Sequence, residues 1–103
     1  MIPSMQIDKT LDNGILTLKV AGRLDTNTSA DLEAALVLDG VSGVVFDFSD
    51  LEYISSAGLR VLMSAQKAMM ASGGKMSVAN PNEMVKGIFD ITGMSGVFNI
   101  VEG

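Results

Sequence analysis

The sequence contains no cysteine, no histidine and no tryptophan among its 103 residues. Without cysteine the chain has no disulfide framework and no thiol nucleophile, and without histidine it has no imidazole general base. The absence of both residue types also excludes a zinc site built from cysteine and histidine ligands. These absences remove the most common catalytic side chains, so we expect a protein that is not an enzyme and that holds no cofactor and no metal.

Positive charge and long apolar runs are also scarce. Seven basic residues stand against 12 acidic ones, which gives a net charge of −5 and a pI near 4.4. A nucleic-acid phosphate backbone would repel such a surface. No stretch approaches the ~20 apolar residues of a membrane span, and the first five residues lack the basic start and apolar run of a secretory signal. We therefore expect no nucleic-acid partner, no membrane insertion and a cytoplasmic location.

The residues that are present predict one α/β domain over residues 1–103. Apolar and β-branched patterns predict strands at residues 5–10, 15–21, 44–48, 75–79 and 97–101. The run at 44–48 also suggests burial on both faces of a parallel sheet. With the helices between them, the order is β-β-α-β-α-β-α-β. This order predicts a mixed β-sheet with right-handed crossovers, and so short a chain leaves the helices packed mainly on one face.

Capping signals mark where each helix begins and ends. The first helix starts at Thr28, whose hydroxyl is followed three residues later by Asp31. The second covers residues 56–71 and is stopped by the glycines that follow Ser72. Asn80 is predicted to cap the third helix, with Pro81 at its first position. The helical methionines fall mainly on inward arcs, which favours core filling over an adaptable binding surface: Met63, Met69, Met70, Met84 and Met94.

A candidate site follows the third predicted strand, because ligands of open α/β sheets bind beyond the carboxyl ends of the strands. Ser55 and Ser56 lie where the loop that follows this strand, residues 49–55, enters the second helix. A serine there can cap the helix, and the helix N-terminus favours negative charge. Gly58 costs about 1 kcal/mol relative to alanine inside a helix, so close approach of a partner or of another backbone is a candidate reason for it.

Residues 50–62, Asp-Leu-Glu-Tyr-Ile-Ser-Ser-Ala-Gly-Leu-Arg-Val-Leu, resemble the signature segment of STAS domains, specifically the bacterial anti-sigma factor antagonists. The Gly-Arg-Leu-Asp turn at residues 22–25, followed by Thr28, resembles the turn before the first helix of that family. Residues 73–75 and 88–94 resemble its Gly-Gly pair and the end of its third helix. The resemblance spans nearly the whole chain. Because the sequence ends directly after the last predicted strand, we expect the C-terminal helix common in the family to be missing or cut away.

The resemblance implies a partner switch controlled at Ser56. The unphosphorylated protein would bind an anti-sigma factor that is itself a serine kinase and so free a sigma factor. Phosphorylation of Ser56 would release the complex, and a separate serine phosphatase would reset it. No phosphate-binding loop or kinase motif occurs in the chain, so the kinase and its ATP would come from the partner. The implied partner-binding residues are Asp25, Thr28, Ser55, Ser56, Ala57, Gly58 and Arg60.

Each of these residues also has an ordinary structural interpretation. Ser56 and Thr28 are typical helix caps, Asp25 is typical of a turn, and Arg60 of a solvated surface. The leading alternative function is a STAS-like binding module of a lipid transporter or a larger signalling complex, not regulated by phosphorylation. A hydrolase with Ser56 as nucleophile fails on chemistry, because there is no histidine and the sequence places no lysine as a base.

Overall fold

The computed structural model describes residues 5–102, which form six strands, three α-helices and one short 3-10 helix. Residues 1–4, part of the segment used to judge a secretory signal, lie outside the described residues. The helices are α1 (Ser29–Ala35), α2 (Ser56–Ser72) and α3 (Glu83–Thr92), and the 3-10 helix is Met94–Gly96. The strands are β1 (Met5–Asp12), β2 (Ile15–Leu24), β3 (Gly43–Asp47), β4 (Leu51–Ile54), β5 (Lys75–Ala79) and β6 (Asn99–Val101).

All six strands belong to one mixed sheet with the order β1-β2-β3-β5-β6. Strands β1 and β2 form an antiparallel hairpin, and the other pairings are parallel. Strand β4 lies off this path and pairs with the end of β2. The mixed sheet and three helices confirm the predicted α/β class.

The core lies on one face of the sheet. The parallel register sets Leu18, Phe46 and Val78 side by side, and all three side chains are fully buried. Thr17 and Val45, which point to the opposite face, are only half-buried. Burial of residues 44–48 on both faces was therefore a wrong expectation, whereas this alternation agrees with helices packed mainly on one face.

Strand β4 lies in a segment, residues 49–55, that the sequence predicts to be a loop. Leu51 and Ile54 are buried, whereas Glu52 between them is exposed. This spacing of three residues is not the alternation that identifies a strand. The register between β2 and β4 shifts between Gly22 and Arg23, so the irregular spacing follows from a bulge.

The third helix begins later than predicted, because its cap is Asn82 and not Asn80. The Asn82 side-chain oxygen accepts a hydrogen bond from the Val85 N–H at 2.8 Å, and its amide nitrogen donates to the Leu51 carbonyl at 3.0 Å. Asn80 instead adopts a left-handed backbone with φ of 56°. The helix ends before Gly93 as predicted, also in the left-handed region.

The expected inward position of several methionines is wrong. Met69 is 1% exposed, whereas Met63 is 37%, Met84 57% and Met70 70% exposed. The buried face of α2 instead contains Gly58, Leu59, Val61, Leu62, Ala65 and Met69. The sheet beneath α2 determines how much of the helix surface is buried, and Met63 and Met70 lie outside the buried part.

Candidate functional site

The turn after β2 and the start of α2 lie side by side. Leu24 pairs with Ile54 in the parallel register, and the Ser55 N–H donates to the Leu24 carbonyl at 2.8 Å. Asp25 directly follows Leu24, and Ser56 directly follows Ser55. The structure therefore brings the two halves of the sequence-predicted site together, although they are about thirty residues apart in the chain.

Ser55 is the cap of α2, and this leaves Ser56 free of that task. The Ser55 Oγ accepts a hydrogen bond from the Gly58 N–H at 3.3 Å, and its carbonyl accepts one from the Leu59 N–H at 2.9 Å. Ser56 is the first helical residue and is exposed. Within residues 5–102 its hydroxyl makes no hydrogen bond, so nothing in the described fold depends on it.

Gly58 allows α2 to lie close to the sheet. It is buried, and a Cβ at this position would stand 2.8 Å from both the Leu24 Cγ and the Ile54 Cγ1. Real Cβ atoms are essentially never found this near to another heavy atom. The close approach that explains this glycine is therefore to side chains of β2 and β4.

Asp25 and Thr28 hold the turn between β2 and α1 through reciprocal hydrogen bonds. One Asp25 carboxylate oxygen accepts from the backbone N–H groups of Asn27 at 2.9 Å and Thr28 at 3.1 Å. The Thr28 hydroxyl accepts from the Asp25 N–H at 2.8 Å and donates to the Arg23 carbonyl, also at 2.8 Å. It makes no capping bond to α1, so the predicted capping role of Thr28 is wrong.

The same contacts set the protonation of Asp25. Partial burial by itself would raise the pKa of the Asp25 carboxyl, but hydrogen bonds from Thr28 and Asn27 hold that pKa below its usual value, with help from the Arg23 guanidinium. A depressed pKa in the folded state means that the carboxylate stabilises the fold above the ordinary aspartate pKa. That contribution is lost as the pH falls through the lowered value.

We expect Asp25→Asn to be less stable than the parent chain at neutral pH, because the carboxamide accepts the same hydrogen bonds without charge. The difference should shrink toward zero in acid, where Asp25 of the parent is protonated as well. Urea unfolding at about pH 7 and at a series of lower pH values that passes through the lowered pKa of Asp25 checks this. Asp8→Asn on the exposed edge of β1 is the control. A stability difference that is unchanged in acid would contradict the assignment.

Arg23 and Tyr53 add an aromatic and a cationic surface beside this turn. They are partners in the β2–β4 register, and the guanidinium carbon lies 4.5 Å from the centre of the tyrosine ring. A cation stacked at this distance is attracted to the face of the ring. Nothing in the sequence indicates this pair, because only the pairing of β2 with the unpredicted strand β4 brings the two residues together.

A shallow groove runs between α1 and α2 and begins next to Ser56. It contains an acidic residue of α1, Glu33, and a basic residue of α2, Arg60, both exposed. Neither takes part in an ion pair among residues 5–102. The residues that line the groove are Ser29, Glu33, Ala57, Arg60, Val61 and Ser64. Of these, only Ala57 and Arg60 were identified from sequence, because the others become neighbours when the two helices pack.

Residues 5–102 contain no group of three or more acidic side chains that could hold a metal ion. None of the helices described here is both long enough and apolar enough to cross a membrane.

The chain belongs to the STAS domain family, whose sequence profile matches residues 6–102. It is 28% identical over 102 residues to the anti-sigma F factor antagonist of Paenibacillus polymyxa, covering 95% of this chain and 85% of that protein. It is 26% identical over 103 residues to the anti-sigma-B factor antagonist of Staphylococcus epidermidis, covering 97% of this chain and 95% of that protein. These relatives confirm the resemblance to bacterial anti-sigma factor antagonists.

The fold is similar to that of SpoIIAA, a Bacillus cell fate determinant and anti-sigma factor antagonist. The unphosphorylated form of SpoIIAA superposes with a TM-score of 0.82 at 16% identity, over 96% of this chain and 87% of the other. Its phosphorylated form superposes with a TM-score of 0.74 at 17% identity, over 96% and 90%. At these identities the likeness shows a common fold.

Proposed function

We propose that this chain is a cytoplasmic, non-enzymatic anti-sigma factor antagonist whose binding is switched at Ser56. The unphosphorylated form binds an anti-sigma factor that is a serine kinase and thereby frees a sigma factor. Phosphorylation of Ser56 releases the complex, and a serine phosphatase restores the binding form. The names of the relatives support the class, and the observation that carries the switch is the exposed Ser56 hydroxyl with no hydrogen bond among residues 5–102.

The exposed position of Ser56 suits modification without damage to the fold. Its neighbour Ser55 supplies the cap, so a phosphate on Ser56 removes no hydrogen bond that holds α2. The phosphate brings a charge of about −1.5 to −2 and three acceptor oxygens. The positive end of a helix tolerates this charge in the free protein. A closely packed interface, in contrast, would have to bury the charge or leave a gap.

The other partner-binding residues divide into two groups by exposure. Ala57 and Arg60 are accessible at the edge of the groove, and the Asp25 carboxylate is partly so. Thr28 is only 5% exposed and Gly58 is buried. In the proposed complex the accessible residues contact the partner, whereas Thr28 and Gly58 hold the turn and the helix in place.

In the proposed phosphoryl transfer, this chain supplies the Ser56 hydroxyl, and the partner kinase supplies the nucleoside triphosphate and the base. The Ser56 Oγ attacks the γ-phosphorus of a nucleoside triphosphate bound to the kinase, and the bond from that phosphorus to the bridging oxygen of the diphosphate breaks. The hydroxyl proton passes to a base of the kinase, and the nucleoside diphosphate leaves. In the reverse arm, water attacks the phosphorus in the phosphatase, and Ser56 recovers its proton as inorganic phosphate departs.

Phosphopeptide mapping of the protein from its native cells, with fragments that resolve Ser55 from Ser56, tests the proposal. Phosphate on Ser56 whose occupancy changes with growth state is the expected result. Phosphate on Ser55 alone contradicts the assignment, because the modified residue would then be the helix cap and not its exposed neighbour Ser56. A protein without phosphate under every condition, recovered with a transporter or another complex, indicates the unmodified binding module instead.

A further inference from the structure

Arg60 lies one helical turn after Ser56 on the same helix. Residues at this spacing have Cβ atoms about 5–6 Å apart, within reach of a phosphate and a guanidinium. We propose that Arg60 is the intramolecular receptor for a phosphate on Ser56, so that modification closes an ion pair along the first turn of α2. This inference rests on the proposed function and names the group on this chain that reads the modification.

The surroundings of Ser56 favour a phosphate that stays beside the helix. The backbone N–H groups of Ser56 and Ala57 have no acceptor within residues 5–102, since the first N–H groups of a helix have no partner inside it. The Ser55 cap accepts only from the following N–H, that of Gly58. A phosphate on Ser56 therefore meets two free donors and the positive end of α2. Its oxygens are held close to the helix, on the side from which Arg60 can approach.

The guanidinium of Arg60 is exposed and available to form an ion pair. It belongs to no ion pair among residues 5–102, although Glu33 shares the groove with it. A planar guanidinium binds phosphate oxygens in bidentate fashion. The order is also the favourable one, with the anion four residues before the cation on a helix.

The pairing gives phosphorylation a second effect on the binding surface. In the unmodified chain, Arg60 presents a positive charge at the edge of the groove. In the modified chain the same guanidinium is paired with the phosphate, so the groove loses this cation and keeps the acidic Glu33. One modification thus adds a dianion and neutralises a neighbouring positive charge.

The test is a phosphorus NMR titration of the chain with phosphoserine incorporated at position 56 during synthesis. The parent is compared with Arg60→Gln, and Lys67→Gln serves as the matched control. Lys67 is an exposed cation on α2 about 16 Å further along the axis than Ser56, beyond a Debye length of about 10 Å at 0.1 M salt. The charged residues of the adjoining turn and groove, Arg23, Asp25 and Glu33, are the same in all three chains.

We expect the midpoint of the phosphate titration to lie at lower pH in the parent and in Lys67→Gln than in Arg60→Gln, by about 0.5 pH unit. The difference should decrease at high salt. Equal midpoints in the parent and in Arg60→Gln would overturn the proposal, and so would an equal shift in Lys67→Gln. Circular dichroism of the variants verifies that each is folded. The phosphate is installed without a kinase, so a negative result here leaves the switch at Ser56 standing, and an absence of phosphate in cells leaves this pairing standing.

Discussion

In the proposed switch, Ser56→Asp should lower the affinity for the anti-sigma factor kinase by at least about 100-fold, whereas Ser56→Ala should bind like the parent and resist release by ATP. The exposed hydroxyl makes no hydrogen bond within residues 5–102, so its removal costs the fold nothing. A carboxylate in its place puts an unmatched charge into the interface. Such a charge costs several kcal/mol, and each 1.4 kcal/mol is a factor of ten in affinity. Titration calorimetry with the purified kinase measures both variants.

Ala68→Asp is the matched control for this experiment. It introduces the same charge at an exposed position of the same helix, three turns from Ser56. We expect this variant to keep the affinity of the parent within about threefold, which corresponds to a change of less than 1 kcal/mol. Undiminished binding by Ser56→Asp would refute the proposed switch. Equal losses in Ser56→Asp and Ala68→Asp would show a general charge effect and not a site.

Gly58→Ala and Gly87→Ala should change stability in opposite directions, although both positions are inside helices. At Gly58 the new methyl group would meet the branch point of Leu24, a fully buried side chain that has little room to move. Overpacking costs about 1–3 kcal/mol, and the improved helix propensity offsets at most about 1 kcal/mol. An overpacking cost near the upper end of that range, less the gain in propensity, leaves a net loss of about 2 kcal/mol, or roughly 10 °C in melting temperature.

Gly87 provides the control within the same fold. A Cβ there meets no other atom within 4 Å, so alanine brings only the gain in helix propensity, about 0.5–1 kcal/mol. Differential scanning calorimetry of the three chains gives the two changes directly. A Gly58→Ala protein as stable as the parent would show that α2 can move away from β2 and β4 without penalty. The explanation for the glycine would then be wrong.

The helices and five of the strands could be predicted because their signals are local. Gly73 and Gly93 end their helices in the left-handed region, as glycines after an apolar periodic segment do. Strand β4 could not be predicted, because its four residues form a strand only against the end of β2. The choice between Asn80 and Asn82 as cap also depended on a distant residue, since Asn82 additionally holds the Leu51 carbonyl, 31 positions away.

The candidate site was predictable in its location and less so in its details. Ser55, Ser56 and the Asp25 turn follow from the rule that sites lie beyond the strand ends, together with the family resemblance. The hydrogen-bond partners of an individual hydroxyl could not be predicted from the sequence. The Thr28 hydroxyl accepts from the Asp25 N–H and donates to the Arg23 carbonyl, and it accepts no hydrogen bond from an N–H of α1. Contacts across packed elements, such as Arg23 on Tyr53, have no signal in a single sequence.

Ser55 caps α2 while Ser56 is the proposed site of modification, and this separation of roles bears on the lifetime of the protein. A modification that removed the cap would raise the fraction of unfolded chains, and each signalling event would then expose the protein to degradation. Here the cap belongs to Ser55, so under the proposed switch we expect the modified and unmodified chains to present the same folded structure to proteases and chaperones. We expect the two forms to turn over at equal rates. Under the proposed switch, equal turnover would keep the total amount of this chain constant while its phosphorylated fraction changes, so the response would depend on the ratio of kinase to phosphatase activity.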